Sequence, residues 1–288
     1  MKRFTGYLIL LLGAMTLVAL GVDWLNVGLI RSSSGISAAK MERLYRNPEP
    51  DEIAVVGSSR ALCAFVPSQI SSQCFNYGED GMTMGEVMSI LEVLQKRKTT
   101  VPVVLNLDPW GNFHHSVVGD YRLAPESGRL SICERIPGVR FFGALRKNIS
   151  GTCDVRFSAT RVVDRGAKLI RTSRSAEEWN ILKGKAKRQD FVVSADDRRR
   201  LLAILRSFAP RKVLVVVCPC SSSWDAHFVG QEKLSEFLRE LKGLPNVSLF
   251  DYYGSKEFSD SDFVDLDHLN IGGAKKLTAI LVKDMAKE

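Results

Sequence analysis

The chain has 288 residues, of which 45% are hydrophobic and 25% are charged. This composition excludes an intrinsically disordered chain, and the length allows one full hydrophobic core with a sizeable insertion, or two small domains. The net charge of +8 favours anionic surroundings, such as phosphate-bearing polymers, anionic lipids or nucleic acid, although a solvated basic surface explains it equally well.

The N-terminal segment is apolar enough to enter a membrane. Lys2 and Arg3 precede residues 4–22, which carry no charge and would form a helix about 28 Å long, close to the hydrocarbon thickness of a bilayer. A cleaved signal peptide is the alternative, but this stretch is longer than a usual signal core. We therefore expect residues 1–30 to form an uncleaved single-span anchor. Because the positive charges precede the span, the N-terminus is expected in the cytoplasm and the remaining chain outside, in the periplasm or at the cell surface.

Residues 31–50 are polar and end in prolines, which is typical of a linker between a membrane and a domain. Beyond this linker, short β-branched runs alternate with amphipathic helical patterns. The predicted strands are residues 52–57, 74–78, 101–108, 212–219 and 246–253, and the predicted helices lie within residues 82–98, 194–208, 229–242 and 273–286. This alternation predicts a three-layer α/β/α domain over residues 51–288, with a parallel sheet of about five strands. In such sheets, ligands collect at the carboxyl ends of the strands.

Residues 109–193 interrupt this alternation with weak periodicity and many glycine and basic residues. We interpret them as an insertion beside the active face. Within them, residues 156–188 carry ten lysines and arginines against three acidic residues, a density that suits an anionic polymer or a lipid headgroup but also a solvated helix. Nucleic acid is not expected as a partner, because the sequence contains no motif for it.

The six cysteines indicate neither a metal site nor a redox centre. Cys218 and Cys220 form a C-P-C pattern, but no second Cys/His cluster stands at ligand spacing, so we expect structural cysteines. Outside the cytoplasm some cysteines can pair, and Cys133 with Cys153, in the irregular middle region, is the bridge that we expect. No metal and no cofactor are predicted.

Two motifs carry the chemistry. Residues 57–61, GSSRA, place two serines behind a glycine at the end of the first strand, one residue short of the G-x-S-x-G nucleophile elbow of α/β-hydrolases. An ordinary strand-to-helix turn has the same residues. Near the other end of the chain, Asp265 and His268 are spaced D-x-x-H before the last helix. This spacing lets a carboxylate fold back on the imidazole and stabilise its protonated form, so His268 is predicted to act as general base for a serine.

Three further residues are weaker candidates. Asp262 and Asp267 are alternative carboxylates for the imidazole, and Asp267 ranks last because a residue adjacent to a histidine is badly placed to meet its ring. Arg60, next to the serines, would either hold an anionic substrate group or pair with an acid.

Together these motifs resemble the SGNH (GDSL-like) hydrolase and acyltransferase superfamily, in which the nucleophile follows the first strand in G-D-S and a D-x-x-H block precedes the final helix. Laid on residues 57–59, the resemblance implies a flavodoxin-like parallel sheet with Ser59 as nucleophile and Ser58 at the usual aspartate position. The implied catalytic triad is Ser59, His268 and Asp265, which would act through an acyl-enzyme.

The same resemblance implies donors for the oxyanion of the tetrahedral intermediate. Backbone N–H groups at the start of the first helix of the domain would supply one set. The N–H of Gly78, after the second strand, would join them, with Gly81 as the second choice. The family's G-x-N-D block is absent, and Asn112 is the residue that would replace its side-chain donor.

Several departures from the family pattern point to one branch. GSSR in place of GDSL, FNYGEDG, a strand ending in LDPW, the N-terminal anchor and DHLNIGGAKKL resemble the membrane-anchored polysaccharide-modifying proteins, which include DltD, AlgJ and AlgX. The resemblance implies a serine O-acyltransferase or acetylesterase that acts on a cell-surface glycan and works with a membrane-bound O-acyltransferase (MBOAT). It does not cover residues 109–193. Two other hypotheses remain: a non-catalytic glycan-binding or scaffold subunit, favoured by the missing block, and a lipid esterase or thioesterase with the same triad.

Overall fold

A computed structural model of the chain describes residues 2–32, 37–46, 49, 51–109, 160–172, 174–185 and 189–288. The chain divides into two compact units, Met1–Asn47 with Val118–Ser158, and Pro48–Val117 with Ala159–Glu288. The predictions for Asn112 and for a bridge between Cys133 and Cys153 lie outside the described residues. The other four cysteines are buried free thiols, as expected of structural cysteines.

The described part of the first unit consists of two helices, α1 (Lys2–Ser32) and α2 (Ser37–Arg46). None of the helices, over the residues that the structure describes, combines the length and the hydropathy that a bilayer-spanning segment requires. Helix α2 lies within the predicted linker. It forms there because its sequence, SAAKMERLYR, is rich in strong helix formers, and Met41 and Leu44 bury their side chains.

The second unit alternates strands and helices. In chain order its elements are β1 (Ile53–Val56), α3 (Ser59–Ala64), α4 (Pro67–Ile70), β2 (Cys74–Asn76), α5 (Met84–Gln95), β3 (Val103–Asn106), β4 (Arg161–Asp164), β5 (Ala167–Ile170), α6 (Ala176–Lys185), β6 (Gln189–Asp190), α7 (Ala195–Ser207), β7 (Val213–Val217), α8 (Ser222–Asp225), β8 (Phe228–Val229), α9 (Gln231–Lys242), β9 (Val247–Asp251) and α10 (Ile271–Met285). Helices α3, α4 and α10 pack together, and α5 packs with α7.

Five parallel strands form the central sheet, in the order β2-β1-β3-β7-β9. Every residue of β3 and β7 is buried, which is why these strands are continuous apolar runs in the sequence. Each strand of this sheet lies within a predicted one, so the predicted α/β architecture with five parallel strands is confirmed. Strand β1 pairs with β2 on one side and β3 on the other. The order of the strands therefore reverses at β1, and the crevice beside its carboxyl end is where such sheets bind ligands.

Polar side chains cap the N-termini of three helices. Thr83 caps α5 in a reciprocal capping box with Glu86, and Ser194 caps α7 by accepting the N–H of Asp197 at 3.0 Å. Asn270 caps α10 by accepting the N–H of Gly273 at 3.0 Å. This last cap fixes the start of α10 directly after the predicted D-x-x-H motif.

Strands β4 and β5 form an antiparallel hairpin inside the predicted insertion. Its two-residue turn has Arg165 at φ 44° and Gly166 at φ 89°, the left-handed pair that matches the twist of a hairpin. Ala167 and Leu169 of β5 are buried in the same core cluster as Val55 of the sheet. The β4–β5 hairpin therefore packs on the core of the second unit, and the interpretation of residues 109–193 as an insertion within the domain stays a prediction.

Candidate active site

A tight turn brings the end of β1 into α3. Gly57 has φ 155°, and a Cβ atom there would lie 2.7 Å from Ala61 Cβ and 2.9 Å from Asn106 Cβ. Glycine is therefore required, because α3 and the end of β3 both approach the backbone at this point. Ser58 then caps α3 by accepting the N–H of Arg60 at 3.3 Å, and Ser59 is the first residue of the helix.

The hydroxyl of Ser59 meets the imidazole of His268 across the crevice. Ser59 Oγ lies 2.8 Å from His268 Nε2, and His268 Nδ1 lies 3.0 and 3.1 Å from the two carboxylate oxygens of Asp265. The serine and the histidine are separated by 209 positions in sequence. A hydroxyl, an imidazole and a carboxylate in this order have the geometry of an activated serine nucleophile.

The loop that carries His268 is ordered by its own hydrogen bonds. Asp265 Oδ1 accepts the backbone N–H of Asp267 at 3.1 Å and that of His268 at 2.8 Å. The N–H of Val264 donates to the carbonyl of His268 at 2.8 Å, which closes the loop. Asp265 therefore holds both the backbone and the ring of His268, and the loop does not depend on substrate for its shape.

Asp267 also contacts the ring, which corrects its low rank among the candidate carboxylates. Its Oδ1 lies 3.1 Å from His268 Nδ1, because the turn held by Asp265 brings adjacent side chains to the same side. Asp262, the other alternative, lies elsewhere: its carboxylate binds Lys276 Nζ at 2.6 Å and accepts the N–H of Ser259 at 2.9 Å. Two carboxylates thus share one imidazole nitrogen.

This sharing shifts the acid–base properties of the histidine. Burial opposes protonation of His268, but the hydrogen bonds to Asp265 and Asp267, together with their negative charges, outweigh it and raise its pKa to about 10. For Asp265, burial likewise favours the neutral acid, and the hydrogen bonds and charge of His268 overcome this and lower the pKa to about 2. His268 is therefore a strong base that the two acids hold in the imidazolium form at neutral pH.

Arg60 is buried beneath the site and does not face substrate. Its Nη2 donates to the carbonyls of Cys218 and Pro219, both at 2.7 Å, and its Nε donates to the carbonyl of Asp267 at 3.2 Å. Burial opposes its charge, yet attraction to Asp108, whose Oδ1 lies 3.5 Å from Nη1, keeps the pKa of Arg60 raised. Of the two predicted roles, the structure gives Arg60 the pairing with an acid and not the contact with an anionic substrate.

Asp108, at the carboxyl end of β3, is a site residue that the sequence analysis missed. It accepts a hydrogen bond from Ser58 Oγ and another, at 2.8 Å, from Asn106 Nδ2. Ser58 is thereby committed to Asp108 and to its capping role, whereas Ser59 faces the histidine. Of the two adjacent serines, Ser59 is the one placed to attack; the strand ending LDPW was the available signal for Asp108.

The predicted oxyanion donor Gly78 is engaged elsewhere. Its N–H donates to Asn76 Oδ1 at 2.8 Å, because the Asn76 side chain folds back over the turn after β2. A Cβ atom at Gly78 would lie 2.9 Å from the backbone nitrogen of Leu62, so glycine here serves the close packing of α3. In the part of the chain that the structure describes, the N–H of Ser59 has no acceptor, as expected for the first turn of a helix.

A cavity of about 180 Å³ opens beside the histidine. Three segments form it: helix α3, the loop after β2, and the β4–β5 hairpin, which face the loop before α10. Its lining residues are Leu62, Cys63, Asp80, Arg161, Lys168, Ile170, Asp265 and His268. Arg161 and Lys168 were not predicted as site residues; the basic stretch at residues 156–188 contained the signal without showing which cations face the site.

The acids around His268 could also ligate a metal. One donor atom each from Asp265, Asp267 and His268 lies within 4.8 Å of the others. The two roles exclude each other, because Nδ1 cannot hold a metal ion and the proton that it shares with the carboxylates at the same time. The spacings of 3.0 to 3.1 Å between His268 Nδ1 and the carboxylate oxygens are those of hydrogen bonds.

No family model and no curated protein sequence matches this chain. The solved structures that are similar in part include the following two. The lipase/acylhydrolase from Enterococcus faecalis is 12% identical, with a TM-score of 0.41, over 81% of this chain and 94% of its own. A proposed platelet activating factor from Streptococcus pneumonia is 12% identical, with a TM-score of 0.40, over 93% of this chain and 98% of its own. Similarity at this level assigns neither a family nor an activity to the chain.

Proposed function

We propose that the protein is a serine esterase or O-acyltransferase whose nucleophile is Ser59. The observation that carries the proposal is the line from Ser59 Oγ through the imidazole of His268 to the carboxylate of Asp265, with contacts of 2.8 and 3.0 Å. These three residues lie beside the carboxyl end of β1, where the strand order of the parallel sheet reverses and where such folds bind ligands. The resemblance of the GSS and D-x-x-H blocks to the SGNH superfamily supports the same reaction class.

The reaction proceeds in two steps, acylation of Ser59 and deacylation. In the fraction of molecules whose imidazole is neutral, Ser59 Oγ attacks the carbonyl carbon of an ester while His268 Nε2 takes the hydroxyl proton. The bond to the leaving alcohol then breaks as that alcohol receives the proton. An acyl-serine remains. Water or a sugar hydroxyl then attacks the acyl carbon and loses its proton to His268. As the bond from the acyl carbon to Ser59 Oγ breaks, His268 returns that proton to Oγ, and the acid or the new ester leaves. The N–H of Ser59 is the donor placed to stabilise the oxyanion.

The proposed substrate is an acylated cell-surface polysaccharide outside the cytoplasm. The charged side chains on the cavity wall, among them Asp80, Arg161 and Lys168, suit a sugar better than a fatty acyl chain. The proposed location rests on residues 4–22, which carry no charge, and on the exposure of apolar side chains in this segment, such as Phe4 and Leu10. The proposed MBOAT partner rests on the resemblance to the polysaccharide-modifying branch alone.

Trapping of the acyl-enzyme tests the proposal. Incubation of the full-length protein with p-nitrophenyl acetate is expected to add one acetyl group, which peptide mass spectrometry places on Ser59. Ser59→Ala and His268→Ala are expected to lose the adduct, whereas Ser58→Ala keeps it. Addition of EDTA is expected to change nothing, because the reaction uses no metal. Absence of any adduct in the wild type would refute the enzymatic proposal.

A second set of substrates separates the alternatives. Release of acetate from an acetylated oligosaccharide, with no release of fatty acid from lysolipid, is the expected result, and the reverse would identify a lipid esterase. Transfer of the acetyl group to an added unacetylated oligosaccharide would distinguish a transferase from an esterase. The scaffold hypothesis is favoured by one observation, the engagement of the Gly78 N–H with Asn76. It predicts glycan binding without any acetate release.

A further inference from the structure

We propose that Arg161 and Lys168 form an anion-binding subsite beside His268, so that the preferred substrate is an ester of a sugar bearing a carboxylate or a phosphate. This inference rests on the proposed function for its catalytic consequence. Both side chains line the cavity that His268 and Asp265 also line. An anionic group bound by the two cations would therefore share a cavity with the general base His268, whose Nε2 lies 2.8 Å from Ser59 Oγ.

The register of the hairpin places the two cations on one face. Arg161 pairs with Ile170, and Val163 pairs with Lys168. Because side chains alternate along a strand, Arg161, Lys168 and Ile170 share the face that lines the cavity, while Ala167 and Leu169 point into the core. Arg161 and Lys168 are diagonal neighbours across the pair, about 7–8 Å apart at the backbone, which is within reach of one shared anion for long side chains.

The hairpin is held in place by its turn. The N–H of Asn76 donates to the carbonyl of Arg165 at 2.9 Å, which joins the turn to the end of β2. Asp164 accepts hydrogen bonds from the N–H and the hydroxyl of Ser68, at 3.0 and 2.7 Å. These contacts commit the one acidic residue of the hairpin to α4 and fix β4 and β5 against the site before substrate binds. The subsite is therefore preorganised, which lowers the entropic cost of binding.

The charge on the cavity wall favours an anion. Among the described residues, neither Arg161 nor Lys168 forms an ion pair with a carboxylate, in contrast to Arg97, which binds Glu52 at 3.0 Å. Of the two acids on the wall, Asp265 is committed to His268. Two available cations thus face one uncommitted carboxylate, Asp80, which is exposed and suited to accept a hydroxyl hydrogen bond from a sugar.

The volume of the cavity limits the size of the ligand that it can hold. Its volume of about 180 Å³ is below the range of roughly 300–1,000 Å³ that holds drug-sized ligands. Five of its eight lining residues are acidic, basic or histidine. Such a cavity accommodates one charged sugar unit better than a long apolar chain, because an alkyl chain would strip water from these groups without replacing its hydrogen bonds.

Matched substrates and variants test the inference. The substrates are an O-acetylated methyl galactoside, the corresponding galacturonide and the corresponding 6-phosphate, and the measured quantity is kcat/KM for acetate release. The variants are Arg161→Gln and Lys168→Gln. The control is Arg171→Gln, which removes an exposed cation that follows the same hairpin and does not line the cavity.

The wild type is expected to prefer at least one anionic substrate, and the larger preference identifies the carboxylate or the phosphate as the natural group. Each variant is expected to lower the ratio of anionic to neutral kcat/KM by about tenfold, the value of one charge-assisted hydrogen bond, while the control changes it less than about twofold. An unchanged ratio, or an equal loss on the neutral substrate, would overturn the subsite and leave the esterase intact.

If the protein has no esterase activity, a binding experiment still tests the subsite. If the wild type releases acetate from none of the three substrates, calorimetric titration with methyl galacturonide and methyl galactose 6-phosphate decides the matter. Binding of either ligand that is lost in Arg161→Gln and Lys168→Gln and kept in Arg171→Gln would support the subsite on a non-catalytic protein. Absence of binding, or binding indifferent to these changes, would overturn it.

Discussion

His268 stands between two acids and one hydroxyl, and this arrangement sets how the site responds to pH. Hydrogen bonds from Nδ1 to Asp265 and Asp267, opposed by burial, raise its pKa to about 10. A general base must be neutral to accept a proton, so activity is expected to rise with pH through this value. One carboxylate suffices to orient the ring. The second carboxylate therefore makes the base stronger and lowers the fraction of neutral imidazole at neutral pH.

Asp267→Asn is expected to move the acid limb of the pH profile of kcat/KM to lower pH, because it removes one of the two charges that stabilise the imidazolium. Hydrolysis of p-nitrophenyl acetate between pH 5 and pH 11 measures this shift. Asp260→Asn is the control, since Asp260 binds Lys183 at 3.0 Å and does not contact the imidazole. A limb that stays in place in Asp267→Asn would show that this carboxylate does not act on the ring.

Arg60→Met is expected to destabilise the fold by about 3–5 kcal/mol, because it leaves buried carbonyls and Asp108 without their buried cation. Urea unfolding measures the change. The control Arg199→Met, which removes an exposed cation paired with Asp196, is expected to cost less than about 0.5 kcal/mol. A stable Arg60→Met protein whose KM rises only for anionic substrates would restore the substrate-binding role that the sequence left open.

The turn of the β4–β5 hairpin requires a glycine. Gly166→Ala is expected to destabilise the protein by several kcal/mol, since φ is 89° and the new Cβ would lie 2.2 Å from the carbonyl oxygen of Asn76. Gly184→Ala, in α6 with nothing within 4 Å, is the matched control and is expected to be neutral or stabilising by up to about 1 kcal/mol. Thermal unfolding of both variants measures the difference, and equal effects would contradict the close contact.

The elements that could be predicted from the sequence are those whose pattern is local. Strands β3 and β7 of the sheet are buried at every residue, so they stand out as apolar runs, as in Val213–Val217. The β4–β5 hairpin has strands of four residues around an Arg-Gly turn, which is too short for periodicity to reveal. The polar composition of residues 31–50 indicates a linker, whereas the helix formers within Ser37–Arg46 decide the local structure, so α2 lies where no helix is predicted.

The residues of the candidate site fall into two groups, those that a short motif predicts and those whose role depends on distant contacts. Ser59, His268 and Asp265 lie in short motifs with fixed spacing, and motif chemistry was enough to propose their meeting. Arg60 could not be assigned, because its role depends on carbonyls of Cys218 and Pro219, more than 150 positions away. The engagement of the Gly78 N–H likewise depends on the rotamer of a side chain, which sequence does not specify.

The pair of His268 and Asp265 makes the free energy of unfolding of the whole molecule depend on pH. The pKa of His268 is about 10 in the fold against an ordinary 6.5, so its contribution is complete below pH 6.5 and is lost as pH rises through 10. The pKa of Asp265 is about 2 against 3.8, so its contribution is present above pH 3.8 and is lost as pH falls through 2.

His268→Gln is therefore expected to be less stable than the wild type at pH 6, with a difference that shrinks steadily as pH approaches 10. The imidazolium supplies this stability only while it is protonated, and glutamine has no such dependence. Urea unfolding at pH 6, 8 and 10 measures the free energy difference. A gap that is the same at all three values would mean that the two acids do not hold the imidazolium as described.

Labelling of one serine tests the central claim most directly. The full-length protein is treated with a fluorophosphonate probe, and the labelled peptide is identified by mass spectrometry in the wild type, in Ser58→Ala and in Ser59→Ala. The geometry predicts a single phosphonylated residue, Ser59, in the first two proteins and none in Ser59→Ala, because over the ranges that the structure describes this is the hydroxyl that hydrogen-bonds to His268 Nε2, at 2.8 Å. Labelling of Ser58, or a protein that remains unlabelled under conditions that label a known serine esterase, would contradict the account.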